Sequence, residues 1–259
     1  MSQHARIERE AQRLLGVHAG GAPVPALHEE GELELADAYA VQRRVFGELH
    51  GSSPAGYKVS LVAPEHRAAF GASEPTCGRL GESQLVPSGR TIAMSSLFHP
   101  LVEPELVFRV RRDLSPNASA DEVRESCDVM AGMEIPDSRW RGWSPVPGQT
   151  VGDLVADASF AGRVVHAEVG VPAASLDLSA VVGELRHDGV VIGTGRGDAV
   201  MGDPVLAVAW LSGMVARGGE ILRAGVLVAS GTFFYPPSAE PGTYTASYTG
   251  IGHASVTFA

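Results

Sequence analysis

Pro100-Leu-Val-Glu-Pro-Glu-Leu-Val-Phe-Arg109 alternates along its length. Val102, Pro104, Leu106 and Phe108 fill one set of positions, and Glu103, Glu105 and Val107 the other. Side chains two apart in a strand face the same side, so this pattern predicts a strand that presents both glutamates to one face, roughly 7 Å apart at their origins. Two carboxylates turned into one pocket repel unless a cation or a shared proton lies between them. A hard divalent ion such as Mg²⁺ or Mn²⁺, which prefers oxygen ligands, answers that need. The competing reading is a solvated acidic face, the commoner one for an isolated Glu-x-Glu.

Neighbouring segments extend the picture. A third acid, Glu134, stands between Met133 and Ile135 in Met133-Glu-Ile-Pro-Asp-Ser-Arg139. A carboxylate buried there needs a partner. Asp137 and Arg139 follow closely enough to be expected as a pair with each other. Lys58 lies in Ala55-Gly-Tyr-Lys-Val-Ser60. A strand lysine is usually a surface residue, but a buried one can hold a substrate carboxylate or move protons. His99, just before Pro100, reads as a structural hydrogen-bonding group. Gly193-Thr-Gly-Arg-Gly197 lacks the strand–loop–helix setting of a phosphate loop and reads as a turn. Ser230-Gly-Thr-Phe233 is a small-residue stretch that either gives backbone N–H groups and a hydroxyl to an anion or simply ends a strand.

Further out, an apolar stripe predicts a helix from Ser2 to Leu15 and another from about Leu35 to His50, joined by a Gly/Pro-rich link. Gly56–Ala63, Leu101–Val110, Leu185–Thr194, Gly225–Thr232 and Ala254–Phe258 are short, β-branched and bounded by Gly or Pro, and read as strands. Helices are expected at Pro64–Phe70, Ala120–Met130 and Val205–Arg217, with Ser119 or Asp121 capping the second. The fold class is therefore α+β and mainly β. Residues 1–54 are expected to form an N-terminal helical region, and residues 55–259 the metal-binding catalytic domain.

The 259 residues are 44% hydrophobic and carry a net charge of −10, with 31 Gly and 17 Pro spread along the chain. That is enough apolar material for a sizeable core. The acidic balance excludes nucleic acid as a partner, because phosphate contacts need clustered Lys and Arg. A small anionic substrate is still compatible, since a pocket can be locally positive. Cys77 and Cys127 match no zinc spacing and are expected as reduced thiols. No apolar run approaches the roughly 20 residues that cross a bilayer, so no membrane is expected and the cytoplasm is.

Taken in order, these segments resemble the 2-oxopent-4-enoate hydratase and 4-oxalocrotonate decarboxylase group of the fumarylacetoacetate hydrolase superfamily. The resemblance rests on Asp37-Ala-Tyr-Ala-Val-Gln42, Gly56-Tyr-Lys-Val59, His99-Pro-Leu-Val-Glu-Pro-Glu105, Met133-Glu-Ile-Pro-Asp-Ser-Arg139, Val155-Ala-Asp157, Gly202-Asp-Pro-Val-Leu-Ala-Val-Ala-Trp-Leu211, Ala224-Gly-Val-Leu-Val-Ala-Ser-Gly231 and Tyr248-Thr-Gly-Ile-Gly252. It implies a mixed β-roll with a helical N-terminal region. It implies Mg²⁺ or Mn²⁺ held by Glu103, Glu105 and Glu134, with Lys58 as the catalytic lysine. The substrate implied is a small 2-oxo acid, met by Thr76, Ser159, Phe160, Ser230 and Thr232. The chemistry implied is a lyase reaction through a stabilised enolate: hydration of a 2-hydroxy-2,4-dienoate, or decarboxylation of the 4-oxalocrotonate type. Other outcomes of the same likeness are a specialised biosynthetic enzyme and a non-catalytic homologue. A homo-oligomer is implied as well, with association to a homologous enzyme as a variant.

The chain departs from the group in three places. Thr76 stands where hydratases usually carry an acid/base Asp and decarboxylases an apolar residue. Ala158, Phe160 and Ala161 stand where the group usually has an amide and two hydroxyls. Ser60 replaces a usual Gly.

Overall fold

The computed structural model describes residues 2–51, 53–142 and 148–259. The chain opens with two helices, α1 (Gln3–His18) and α2 (Leu35–His50). Ser2 starts α1 by accepting the Ala5 N–H, as an N-cap serine should. Ala11 and Leu14 of α1 and Val41 and Val45 of α2 are buried in the same core as the strand residues Val59, Leu106 and Phe108. Gln42 is buried in that contact, and its amide donates to the carbonyls of Cys77 and Val155 at 3.0 and 2.8 Å. Both N–H groups of the amide are thus used, and the helical region is fixed against the β region.

Thirteen strands follow among the described residues: β1 (Gly56–Ser60), β2 (Thr76–Leu80), β3 (Leu85–Pro87), β4 (Arg90–Ile92), β5 (Glu103–Val110), β6 (Cys127–Ile135), β7 (Arg163–His166), β8 (Val171–Pro172), β9 (Val182–His187), β10 (Val190–Arg196), β11 (Leu227–Thr232), β12 (Gly242–Tyr248) and β13 (Gly252–Phe258). Between them lie α3 (Pro64–Ala69), α4 (Ala120–Ser126), α5 (Val151–Ala156) and α6 (Pro204–Ala216). One sheet runs β2-β1-β11-β5-β6-β7-β3, with β8 also paired to β6; the other runs β10-β9-β12-β13-β4. Pairing is mixed: β1 runs parallel to β11 and β3 to β7, while β5 is antiparallel to both β11 and β6. The sheets curl against each other, and Tyr248 of β12 donates its hydroxyl to the Gly132 carbonyl of β6 at 2.8 Å. This is the expected α+β roll with its helical N-terminal region.

Several local expectations are corrected. The helix expected over Ala120–Met130 stops at Ser126, and residues from Cys127 onward are strand β6. Cys127, Val129 and Met130 are apolar at spacings that suit either period, and pairing with β5 decides for the strand. Ser119, not Asp121, is the cap. Leu185–Thr194 is not one strand but a hairpin. Asp188 and Gly189 both have positive φ, 47° and 83°, the requirement of a tight Asp-Gly turn. The Gly193–Gly197 stretch read as a turn is strand β10 as far as Arg196. Gly193 and Gly195 are needed there because a Cβ would meet Phe234 at 2.4 Å and the Phe233 carbonyl at 2.5 Å. Asp137 does not pair with Arg139. It accepts the backbone N–H groups of Phe98 and His99, while Arg139 is bound to Asp157.

Gly197–Ala216 is long and apolar enough on average to meet a composition test for crossing a membrane, which no run was expected to do. The segment is broken by positive φ at Met201 and Gly202, and α6 itself has 13 residues. At 1.5 Å per residue it spans about 20 Å, short of a roughly 30 Å hydrocarbon layer. Val205, Val208 and Leu211 are fully buried in the core.

Candidate metal centre and active site

Strand register brings the three glutamates together. Glu103 of β5 lies directly opposite Glu134 of β6, and Glu105 lies opposite Gly132. Directly opposed strand residues have side-chain origins roughly 5 Å apart. Each of the three offers a carboxylate oxygen within 4.8 Å of the other two. Glu105 and Glu134 are fully buried and Glu103 is half-buried. Gly132 keeps the space open, since a Cβ there would meet Val107 at 2.4 Å.

A β-bulge fixes Glu105. Ala229 pairs with Val107, but the next aligned pair is Thr232 with Glu105, so β11 holds one extra residue. That residue step contains Gly231 at φ 113°. Its N–H, released from the ladder, donates to Oε2 of Glu105 at 2.8 Å. A side chain at this position would also strike Val62 at 2.7 Å. The small-residue stretch around Ser230 therefore does end the strand and does give a backbone N–H to an anion, and the anion is the protein's own Glu105.

Lys58 comes from β1, two strands from β5. It is 2% exposed, the opposite of the usual strand lysine. Its Nζ lies 3.1 Å from Oε1 of Glu134. That contact is a buried ion pair, while Oε2 of Glu134 and Oε1 of Glu105 are buried with no hydrogen-bond donor. Burial opposes charge on Lys58, but Glu134, Glu103 and Glu105 outweigh it and hold the ammonium above the ordinary lysine range. Burial pushes Glu134 up, against the pull of Lys58 and with a further push from Glu103. Glu105 is raised by burial and then by the Glu134 and Glu103 charges. Three carboxylates facing one ammonium leave an excess of negative charge in a dry place. Orphaned oxygens of that kind fit a hard divalent cation.

The centre forms one end of a cavity of about 430 Å³. Lys58, Glu103 and Glu105 line it, as do Ser159, Phe160 and Thr232. Leu61, Phe70, Leu101 and Leu154 give it an apolar side, and Ser60, His66 and Tyr235 add polar groups. Thr76 and Ser230 are not among the lining residues. Thr76 is buried behind Ser159, whose hydroxyl donates to it at 3.1 Å. The Ser230 hydroxyl is buried without a partner. Ser60, His66, Leu101 and Tyr235 line the cavity without having been expected as contacts. A histidine on the short polar helix α3, or a tyrosine in a Pro-rich loop, gives no periodic signal that could have found it.

Ser159 and Phe160 reach the cavity through an unusual turn. Ala158, Ser159 and Phe160 are all left-handed, at φ 51°, 52° and 61°. This costs an L-residue roughly 1–2 kcal/mol each. Asp157 and Arg139 hold the turn. Arg139 binds the Asp157 carboxylate through its side chain and its backbone N–H, and also donates to the carbonyls of Asp157 and Ala161. Gly78 of β2 makes room, because a Cβ there would sit 1.9 Å from the Ala158 carbonyl oxygen.

Comparison with known proteins places the chain in a family. The 2-keto-4-pentenoate hydratase of Paraburkholderia phymatum is 32% identical over 267 residues, covering 100% of this chain and 99% of that protein. The chain belongs to the 2-keto-4-pentenoate hydratase family. A 4-oxalocrotonate decarboxylase of a Pseudomonas species is 29% identical over 241 residues, covering 92% of this chain and 91% of that protein. The family's named members are thus hydratases and decarboxylases, and the protein is a lyase. No protein-family model matches the chain. Among solved structures, 4-oxalocrotonate decarboxylase from Pseudomonas putida G7, complexed with magnesium and adipate, superposes with a TM-score of 0.90 at 24% identity, covering 100% of this chain and 99% of that one. Fumarylpyruvate hydrolase from Pseudomonas aeruginosa, in complex with Mn²⁺ and pyruvate, gives 0.58 at 19% identity over 78% of this chain and 88% of that one. The hydratase family's fold thus lies within the wider fumarylacetoacetate hydrolase architecture. Its neighbours bind divalent metals.

Proposed function

We propose that the protein is a divalent-metal-dependent hydratase that adds water to a 2-hydroxy-2,4-dienoate, the enol form of a small 2-oxo acid. The observation that carries this reading is the convergence of three carboxylates, with orphaned oxygens, on the lysine-bearing end of an otherwise largely apolar cavity. Glu103, Glu105 and Glu134 would hold Mg²⁺ or Mn²⁺, which supplies Lewis acidity to the keto and carboxylate oxygens of the substrate. The Gly231 N–H keeps Glu105 in place by satisfying one of its oxygens. Lys58 is charged and faces the cavity, so its Nζ can hold the substrate carboxylate or carry a proton to the substrate carbon. Ser159 and Thr232 offer hydroxyls, and Phe160 with Phe70 keeps bulk water from the far side. Thr76 acts one step back, by fixing the Ser159 hydroxyl.

A second reading, decarboxylation of a 4-oxalocrotonate-type acid, is favoured by one observation. Among the described residues, no carboxylate lines the cavity apart from glutamates of the metal centre. Thr76, at the position of the usual acid/base group, lies behind Ser159. The two readings separate when the purified protein with Mg²⁺ or Mn²⁺ is given 2-hydroxypenta-2,4-dienoate and 4-oxalocrotonate in parallel. Loss of the conjugated chromophore of the first without CO₂ release supports hydration. CO₂ release from the second supports decarboxylation. Inertness toward both, with metal bound, removes both and leaves a specialised or binding role.

A cytoplasmic homo-oligomer is the assembly we favour, with association to a homologous enzyme as its variant. Val190, Val191 and Ile192 support self-association: they are consecutive and exposed on β10, an edge strand.

A further inference from the structure

A second cavity, of about 460 Å³, lies on the other side of the segments that wall the first. Pro136, Ser159 and Phe160 face the catalytic cavity, while Asp137, Arg139, Gly162 and Arg163 face this one. The two share no lining residue.

Its charge is unlike that of the rest of the molecule. On a chain of net charge −10, four basic side chains from four elements meet here: His18 at the end of α1, His50 at the end of α2, Arg139 after β6 and Arg163 on β7. Among the described residues, neither histidine nor Arg163 forms a close ion pair with an acid. Asp137 is the sole acid on the wall. Its carboxylate accepts from the Phe98 and His99 N–H groups, and its charge reaches Arg163 from a distance. Arg139 is 5% exposed and its charge is paired with Asp157, so it walls the cavity without adding free charge. Arg163 spends one N–H on the adjacent Gly162 carbonyl and keeps the rest of its fork. The positions are built rather than loose. The His50 ring packs over Gly81, where a Cβ would come within 2.3 Å of it. Gln84 ties the Gly81 N–H to the Gly162 carbonyl. Burial first, and then the Arg139, His50 and Arg163 charges, push His18 well below the usual histidine range. His50 is held down by burial and by Arg163, and Arg163 by burial and by Arg139.

We propose that this cavity is a binding site for a small, multiply charged oxyanion, a phosphate monoester or a dicarboxylate, separate from the catalytic centre. An anion of at least two charges pairs with the free part of the Arg163 fork, favours the protonated forms of His18 and His50, and fits the cavity volume.

Titration calorimetry in EDTA tests this, with inorganic phosphate and succinate as probes and ionic strength held constant with chloride. Saturable binding is expected, weakened about tenfold or more in Arg163→Gln and in the double variant His18→Gln/His50→Gln, the scale of losing one charge-assisted contact. Binding of phosphate alone assigns the site to phosphoryl groups; binding of both probes assigns it to dianions generally. Arg163→Lys, which keeps the charge, should bind better than Arg163→Gln, and serves if the latter folds poorly by near-UV circular dichroism. Absence of saturable binding above the chloride control overturns the proposal. So does binding that survives in all these variants, or that is lost in Lys58→Met instead, which would place the anion in the catalytic cavity.

Discussion

Glu105→Gln keeps the shape of the side chain and removes one charge from a buried cluster. The sign of its effect on stability should therefore depend on metal. Each neighbouring carboxylate offers an oxygen within 4.8 Å. At an effective dielectric of about 20, a pair of like charges at that distance costs roughly 3 kcal/mol. Lys58 offsets part of this, and proton uptake by the raised carboxyls limits the rest. About 1–2 kcal/mol of repulsion then remains for the substitution to relieve at neutral pH. The Gln oxygen can keep the Gly231 N–H, and its amide can donate toward an orphaned Glu134 oxygen. In EDTA the variant should unfold later than the wild type, by roughly 2–6 °C for a chain of this size. With Mg²⁺ or Mn²⁺ at about a hundred times Kd, the wild type should gain roughly 2.7 kcal/mol. The variant should gain little, and the order should invert. Scanning fluorimetry with and without metal reads both. A metal-free variant less stable than the wild type, or one with an undiminished rise on adding metal, refutes the reasoning.

Gly231→Ala should lose about 2 kcal/mol to its positive φ and its clash with Val62, seen as a lower urea midpoint, and should weaken metal affinity because the N–H on Glu105 moves. Normal metal affinity with lowered stability would mean that the bulge does not position Glu105. Ala158→Gly should be neutral to about 1 kcal/mol stabilising in urea denaturation, since it removes a left-handed Cβ; the ordinary helix-type loss would contradict the turn. Val190→Lys with Ile192→Lys should lower the mass measured by light scattering without changing circular dichroism; an unchanged mass takes β10 out of any interface between copies.

The alternation around Glu103 and Glu105 was legible because a strand's period is two and the pattern is local. That Glu134 stands opposite Glu103 was not, because β5 and β6 are paired by tertiary contacts that no short window contains. The same reason hid the burial of Lys58, whose place is set by β11 and Glu134. Where an apolar run suits both periods, as at Cys127–Met130, pairing chose the strand and shortened α4. Asp137 and Arg139 lie two apart and share a polar look, yet backbone amides at 98–99 and the carboxylate of Asp157 are nearer partners for them. Asp188-Gly189 is a local turn signal inside the Leu185–Thr194 segment. Its positive φ values are what that dipeptide supplies. Of the expected substrate contacts, Ser159, Phe160 and Thr232 reach the cavity, and Thr76 and Ser230 stand behind it.

The left-handed turn at Ala158–Phe160 divides the molecule's labour. Glu103, Glu105, Glu134 and Lys58 sit on paired strands, where a one-residue slip would turn each side chain to the wrong face. The residues that shape the far wall sit on a turn whose form is imposed from outside, by Arg139 and Asp157, and owes little to the side chains at 158–161. None of the four residues of the cluster lies on this turn. New substrates can thus be sampled at the turn while the reactive centre stays as it is, and the same clamp must survive each exchange.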